Sequence, residues 1–501
     1  MDFPSIWQEI KLPAGSSDER LPETTDVLIV GGGLCGLLTA YRLVEKENLR
    51  VCVVEAGEFC GGTTAHTTAK ITAQHGLLYD KLMKGLGREK TWLYAQANQN
   101  AVEEYVTLIG QLGADCGLHR CSSVVYATQN ESQHKLEREL AACLRAGLPV
   151  HMEKQTELPF AVAGSLWMDG QACFHPLRFA QALLARLQEK GVRLFAHTEA
   201  LHPRSGTRDG RVHTTRGDIQ ADTIVVATHF PFMDKPGFYF ARVWQERSYV
   251  LALKHVPSLD NLYLGIDAEG YSFRPWEQGI LLGGGGHKSG HEGMERHYET
   301  LEAACGVWYP EREVAAQWSA QDCMTHDGVP YIGKYWQAEA SWNARVFVAT
   351  GFNKWGMTSS MVAADLLCDA VRGKKNEAAE VFSPSRFNPG MKAKSFVTET
   401  TDMLANYIGG YIELASDVAR DLPEGEGRLI MVDGRTVGAY KDTDGTVYTV
   451  NPICSHMGCV LEWNRDEGSW DCPCHGSRYD HTGRLLNGPA VEPLESGTRE
   501  T

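Results

Sequence analysis

The stretch Val27-Leu28-Ile29-Val30-Gly31-Gly32-Gly33-Leu34-Cys35-Gly36 sets the reading of this 501-residue chain. Four apolar residues run straight into G-x-G-x-x-G, and residues 37–44 carry a helical spacing of apolar side chains. Residues 50–55 (RVCVVE) read as a second buried parallel strand, which closes on Glu55, 19 residues after Gly36. Strand, glycine turn, helix and strand together make a βαβ unit. Each marked position has a physical task there. Gly31 makes the tight turn, Gly33 lets the backbone approach a pyrophosphate, Gly36 packs helix against strand, and Glu55 accepts the ribose hydroxyls. Both flanks and the acid set the motif apart from a plain glycine-rich turn and predict a dinucleotide-binding α/β domain.

Downstream, residues 61–72 (GGTTAHTTAKIT) are small and hydroxyl-rich and include Thr63, Thr64, His66, Thr67 and Lys70. Phe174-His175-Pro176 opens a helical pattern, and residues 222–228 (DTIVVAT) form a strand ending at Thr228. Trp318-Ser319 precedes residues 327–333 (DGVPYIG), and residues 349–358 (ATGFNKWGMT) lead into another helix. In order and spacing these stretches resemble the D-amino-acid oxidase / glycine oxidase superfamily of flavoenzymes over about residues 25–385. The resemblance implies FAD, and an antiparallel-sheet substrate domain interleaved with the nucleotide domain. It also implies cofactor contacts from Thr63, Thr64, His66, Thr67, Lys70, Thr228, Gly351, Lys354, Gly356, Met357 and Thr358. The helix that follows Gly356 then aims a positive dipole end at the flavin pyrimidine. A second nucleotide motif is not expected: Gly283-Gly284-Gly285-Gly286 is followed by Lys288 and Ser289 where a third glycine would fall, and it reads as a strand end or turn.

Three residues are candidates for the chemistry. Lys354 and Lys70 are the cations expected nearest the flavin, with a structural ion pair as the alternative for either. Asp322 stands where glycine oxidases carry an arginine that clamps the substrate carboxylate. A carboxylate suits a cationic amine instead, unless Asp322 faces a structural partner such as Lys334. The sheet containing Tyr249, Tyr271, Phe273 and Trp276 is expected to roof the substrate pocket, with ordinary sheet core as the alternative. Ala320, near the place where some sarcosine-oxidising relatives have a linking cysteine, favours noncovalent FAD.

Four of the 14 cysteines fall within residues 454–474; the other ten are scattered. Cys454-Ser455-His456-Met457-Gly458-Cys459 and Cys472-Pro473-Cys474-His475 give C-x-H, fifteen residues, then C-x-x-H. Two thiolates and two imidazoles could hold zinc, but zinc gives Cys459 and Cys474 no role. Together the two stretches resemble the cluster-binding loops of a Rieske [2Fe–2S] protein, with Gly488-Pro489 in the expected later loop. That resemblance implies Cys454 and Cys472 on one iron, His456 and His475 on the other, and a Cys459–Cys474 disulfide. Ser477 and Tyr479 stand where high-potential members donate hydrogen bonds to sulfur. The cluster is therefore expected in the upper part of the Rieske range of about −150 to +300 mV.

The chain divides into an arm (1–24), the flavoenzyme part (25–385), a Pro/Ser-rich linker (386–410) and an all-β tail (411–501). The tail holds 16 acidic and 8 basic residues, and the whole chain carries a net charge of −15, which argues against a nucleic-acid partner. No apolar run has the length of an integral membrane segment. Residues 1–21 lack the basic and apolar regions of a signal peptide, so a cytoplasmic enzyme is expected. The expected activity is oxidation of a C–N bond in a small-molecule amine, electrons passing from FAD to the cluster and on to an acceptor. Two alternatives stand beside it. One is a flavin reductase fed by a donor through the cluster. The other is an O2-using amine oxidase whose tail is a redox-sensing or docking module.

Overall fold

A computed structural model describes residues 4–16, 19–47, 49–201, 210–233, 237–291, 296–335, 344–386, 422–432 and 434–499. The expected linker, apart from Arg386, and the first eleven residues of the expected tail lie outside the described residues. The nucleotide domain is built on a seven-stranded sheet. Tyr331–Lys334, Arg345–Thr350, Gly217–Val226, Thr24–Val30, Val51–Val54 and Arg193–Phe195 lie side by side, with Arg211–Thr214 beside Gly217–Val226. Val30 pairs in parallel register with Val54 on one side and Val226 on the other. Its central strands are near-continuous Val/Ile/Leu runs because both faces are buried, one under helices and the other under residues such as Val212, Phe230, Met233, Tyr239 and Val243. Leu34–Lys46 and Gly356–Val371 pack together on this sheet.

A nine-stranded, largely antiparallel sheet forms the second layer. Its order is Glu313–Thr325, Val243–Lys254, Gly279–Lys288, Ser272–Trp276, Leu262–Gly265, His119–Ala127, Gly164–Cys173 and Lys70–Ile71, with Val150–Glu153 beside Gly164–Cys173. The glycine run 283–286 lies inside Gly279–Lys288, opposite a bulge between Arg247 and Tyr249, rather than at a strand end. Apolar residues at helical spacing over 95–112 predict a helix there, and the helix found is longer, Leu78–Leu112, with a kink at Gly87, where φ is +79°. Gly85, Gly87 and interspersed Lys and Arg residues break the apolar period there and hide the first turns. The N-terminal arm is packed down: buried Trp7 donates from Nε1 to the Thr67 carbonyl at 2.7 Å.

The tail is all β. Gly427–Val432, Arg435–Lys441, Val447–Val450 and Ser496–Arg499 make one four-stranded sheet; Glu462–Asn464, Ser469–Asp471, Arg478–Asp480 and Leu485–Asn487 make the other. It sits directly on the antiparallel sheet of the flavoenzyme part. A Cβ on Gly290 would come within 2.3 Å of the Pro473 nitrogen, and one on Gly476 within 2.6 Å of Gln245 Cβ. Only glycine permits these approaches.

Candidate active site and cluster site

A cavity of about 950 Å³ runs from the glycine turn to the tail. Gly31, Gly33, Glu55, Thr63, Thr64, His66, Thr67, Lys70, Thr228, Gly351, Lys354, Gly356 and Met357 all line it. Gly31 has φ +110°, and a Cβ there would meet the Ala227 carbonyl at 2.4 Å. Gly33 has only Thr64 Oγ1 within reach of such a Cβ, so its Cα face opens on the cavity. Gly36 does not line the cavity; a Cβ there would lie 2.0 Å from the Gly31 carbonyl, so it serves helix–strand packing. Glu55 accepts from the Gly32 and Gly57 amides at 2.7 and 2.9 Å, which fixes its carboxylate at the cavity wall. Bare turn, open helix N-terminus and acid are the parts that an FAD adenosine diphosphate needs. Thr358 faces away, donating to the Thr72 carbonyl at 3.2 Å and sharing a 3.2 Å contact with His75 Nε2.

The far end of the cavity is walled by two paired strands. Glu246, Ser248 and Val250 project into it from one strand, and Ala320, Asp322 and Met324 from the other, with Glu246 directly opposite Asp322. Period-two alternation puts each set on one face. Lys354 lies 3.0 Å from the Glu246 carboxylate and donates to Ser248 Oγ at 3.0 Å, so it makes an ion pair while lining the cavity. Its backbone and that of Asn353 have φ of +69° and +53°. Asn353 Oδ1, accepting from the Thr325 amide at 2.7 Å, braces that turn. Burial pushes the Asp322 carboxyl up to about 6, against the pull of Lys354. The charged groups acting on it are Lys354, Glu246 and Arg247, not Lys334. Lys70 donates to the Tyr263 carbonyl at 2.8 Å and to Ser272 Oγ, and burial with nearby Arg274 pushes it down to about 7.

Of the four aromatics expected over the pocket, Tyr249 borders the cavity, but its ring is buried on the other face of the sheet, stacked on His297 at 4.6 Å. On that same face Tyr271 and Phe273 pack on Trp308 with ring centroids 5.0 and 5.8 Å away, and Trp276 packs at the sheet edge against the main core. Sequence alternation identifies two faces of a strand but not which one meets a cofactor. For the same reason Glu246, Ser248, Gln245 and Gln321 went unpredicted.

The cysteine loops of the tail come together as two similar turns. Cys454 N donates to the Cys459 carbonyl at 2.8 Å, and Cys472 N to the Ser477 carbonyl at 2.8 Å. Cys459 and Cys474 are joined in a disulfide with Cα atoms 6.5 Å apart. Their sulfurs lie within 4.8 Å of Cys472 Sγ but are already bonded to each other. Available donors are therefore the buried thiols of Cys454 and Cys472 and the imidazoles of His456 and His475, whose ring centroids are 4.9 Å apart. Contact with the Cys472 thiol, opposed by burial and helped by Tyr479 and Ser477, pushes the Cys454 thiol down to about 6. Tyr479 OH lies 3.5 Å from Cys454 Sγ, and Ser477 Oγ accepts from the Ala490 amide at 3.0 Å. Two soft sulfurs facing two imidazoles, with hydroxyls around the sulfur, fit a Rieske [2Fe–2S] cluster.

Cavity and cluster loops share a wall. Gln321 Nε2 donates to the Gly476 carbonyl at 2.8 Å, next to His475, and Gln245 Nε2 donates to the Gly488 carbonyl at 3.3 Å. Residues 485–491 of the tail line the cavity itself. Phe240 of the flavoenzyme part lies edge-on to both imidazoles, 5.8 Å from His456 and 5.4 Å from His475.

Residues 26–370 match the FAD dependent oxidoreductase family, and residues 414–497 match the Rieske [2Fe-2S] domain. The chain belongs to that family of FAD oxidoreductases and carries a Rieske domain; its cofactors are FAD and a [2Fe-2S] cluster. It is 38% identical over 478 residues to a Bacillus subtilis protein named as a Rieske 2Fe-2S iron-sulfur protein, YhfW, across 94% of this chain and 92% of that one. The tail is 46% identical over 67 residues to the cytochrome b6-f complex iron-sulfur subunit of Nostoc punctiforme, 13% of this chain and 34% of that subunit. Glycine oxidase from Geobacillus kaustophilus shares the fold over 73% of this chain and all of its own, with TM-score 0.61 and 22% identity. L-proline dehydrogenase from P. horikoshii does so over 74% and 99%, with TM-score 0.60 and 16% identity. No helix among the described residues is long and apolar enough to cross a membrane.

Proposed function

We propose that this chain oxidises the C–N bond of an amine-type substrate in the shared cavity and delivers the electrons through its Rieske domain to an external acceptor. The observation that carries the reading is Gln321: it lies in the cavity strand between Ala320 and Asp322, and its side chain, on the opposite face, holds the Gly476 carbonyl beside His475 at 2.8 Å. Bound FAD supplies a two-electron acceptor for a hydride from the carbon next to nitrogen, and the bound cluster a one-electron acceptor.

The residues divide the remaining work. Lys354 neutralises Glu246, leaving Asp322 to meet a substrate ammonium. With its carboxyl pushed up to about 6, Asp322 accepts a proton from that ammonium more readily than an exposed aspartate would, which frees the nitrogen lone pair. Residues 485–491 help to wall the cavity and exclude water from it. That fold relatives are named as a glycine oxidase and an L-proline dehydrogenase supports a substrate of this class.

The test is anaerobic addition of amines and amino acids to the purified holoprotein, followed by visible absorption and EPR. Flavin bleaching followed by the signal of a reduced cluster is expected. Bleaching with no cluster reduction before oxygen is admitted would overturn the electron route; no bleaching with any C–N substrate would overturn the activity.

A further inference from the structure

We propose that Phe238 and Met457 form the docking surface for a basic one-electron carrier protein. The inference rests on the electron route proposed above and names the kind of acceptor that ends it. Nine large hydrophobic side chains are exposed among the described residues, and three of them, Phe238 (41%), Met457 (46%) and Val491 (56%), belong to segments beside the cluster ligands. Phe238 stacks edge-on to Phe240 at 6.1 Å, and Phe240 in turn touches both ligand imidazoles. An aromatic chain thus leads from the ligands to the surface. Met457 directly follows His456, and Ser455 Oγ donates to the Glu492 carbonyl at 2.8 Å, which holds residues 491–492 against the same loop.

The wall shared with the flavin cavity, at Gln321 and Gly476, takes up another side of the cluster loops. An external acceptor therefore meets the protein where Phe238 and Met457 are exposed. A small apolar centre suits a transient redox encounter, in which long-range charge steers and a few apolar contacts seat the partner. Here the charge is acidic: 16 acidic against 8 basic residues in 411–501, and −15 over the chain. That field attracts a carrier with a basic rim and repels anionic membranes and nucleic acids. Two carriers, each taking one electron, balance one two-electron amine oxidation.

The experiment is calorimetric titration of the full-length holoprotein with an oxidised basic c-type cytochrome. Phe238→Lys and Met457→Lys are compared with wild type, each checked for unchanged flavin and iron content. Binding is expected that weakens steeply from about 20 mM to about 500 mM salt. Each lysine substitution should weaken it about tenfold, and acetylating the cytochrome lysines should abolish it. No binding, wild-type affinity in both variants, or affinity indifferent to salt would overturn the proposal. So would salt-independent binding of neutral phosphatidylcholine vesicles that both variants lose. No amine is present, so a failed titration and a failed amine screen are separate results.

Discussion

Arg247, on a strand of the flavoenzyme sheet, and Glu467, in the Rieske domain, meet at 2.7 Å with both side chains withdrawn from water. Glu467 also accepts from Tyr298 OH at 2.9 Å, and the neighbouring Asp466 accepts from the His297 amide at 2.7 Å. Burial pushes the Glu467 carboxyl up, but Arg247 and Arg478 together more than reverse it and hold it below the ordinary range. The two domains are therefore closed over a buried ion pair whose halves come from different parts of the chain. A tail that merely trails from an independent oxidase would not need one.

Glu467→Ala leaves Arg247 charged and buried, and such a loss costs about 3–5 kcal/mol. A fall in melting temperature is expected, with recovery of much of it in Arg247→Met/Glu467→Leu. The acid dependence has a definite sign. Because the folded carboxyl titrates below its unfolded value, its stabilisation is complete above about pH 5 and is lost as the pH falls through the folded value. Melting curves between pH 7 and pH 3 check this. An acid limb of equal depth in the double variant would contradict it.

Asp322 predicts a pH profile of activity. Its carboxyl is pushed up to about 6, so the ionised form that meets an ammonium accumulates above that pH. The kcat/KM for a cationic amine should rise with pH through about 6, and Asp322→Asn should lose both that limb and about 10²–10⁴ in rate. A variant that retains the limb would move the role to another group.

Gly36→Ala tests the nucleotide cradle. A methyl group at 2.0 Å from the Gly31 carbonyl must push the helix Leu34–Lys46 away from the turn. Flavin content per chain should fall steeply while iron and sulfide stay near wild type, as measured by absorption and metal analysis. Gly110→Ala, on the exposed side of the helix Leu78–Leu112 where an added Cβ meets nothing within 4 Å, is the control and should keep its flavin.

Tyr479→Phe and Ser477→Ala should each lower the cluster potential. A hydroxyl directed at sulfur stabilises the more negative, reduced cluster, so its loss favours the oxidised form. Tyr479 reaches Cys454 Sγ at 3.5 Å, and Ser477 also acts on that thiol. Potentiometric EPR titration checks both. A potential unchanged in the Tyr479→Phe/Ser477→Ala double variant would remove these hydroxyls from the account.

What was legible in the chain was what is local in it. G-x-G-x-x-G with its acid spans 25 residues, and the cluster loops span 22, so one short segment carries the nucleotide cradle and another carries all four cluster donors. Elements with broken or two-sided patterns were less clear. Residues 78–94 carry glycines and basic residues inside a helix that tertiary packing completes, and Tyr249, Tyr271 and Phe273 alternate as pocket-facing residues would but pack together in a core on the face away from the cavity.

The amino-acid order by itself determined the two cofactor motifs, the strands that frame them and the all-β character of the tail, because each rests on spacing along a few residues. Only the tertiary structure decided that the tail closes over the flavin cavity. It alone set Lys354 against Glu246, left Asp322 facing the space between, and paired Arg247 with Glu467. Those relations join residues up to 220 positions apart. They follow from which sheet face is covered and by what, a choice made by burial of the whole molecule rather than by any local pattern.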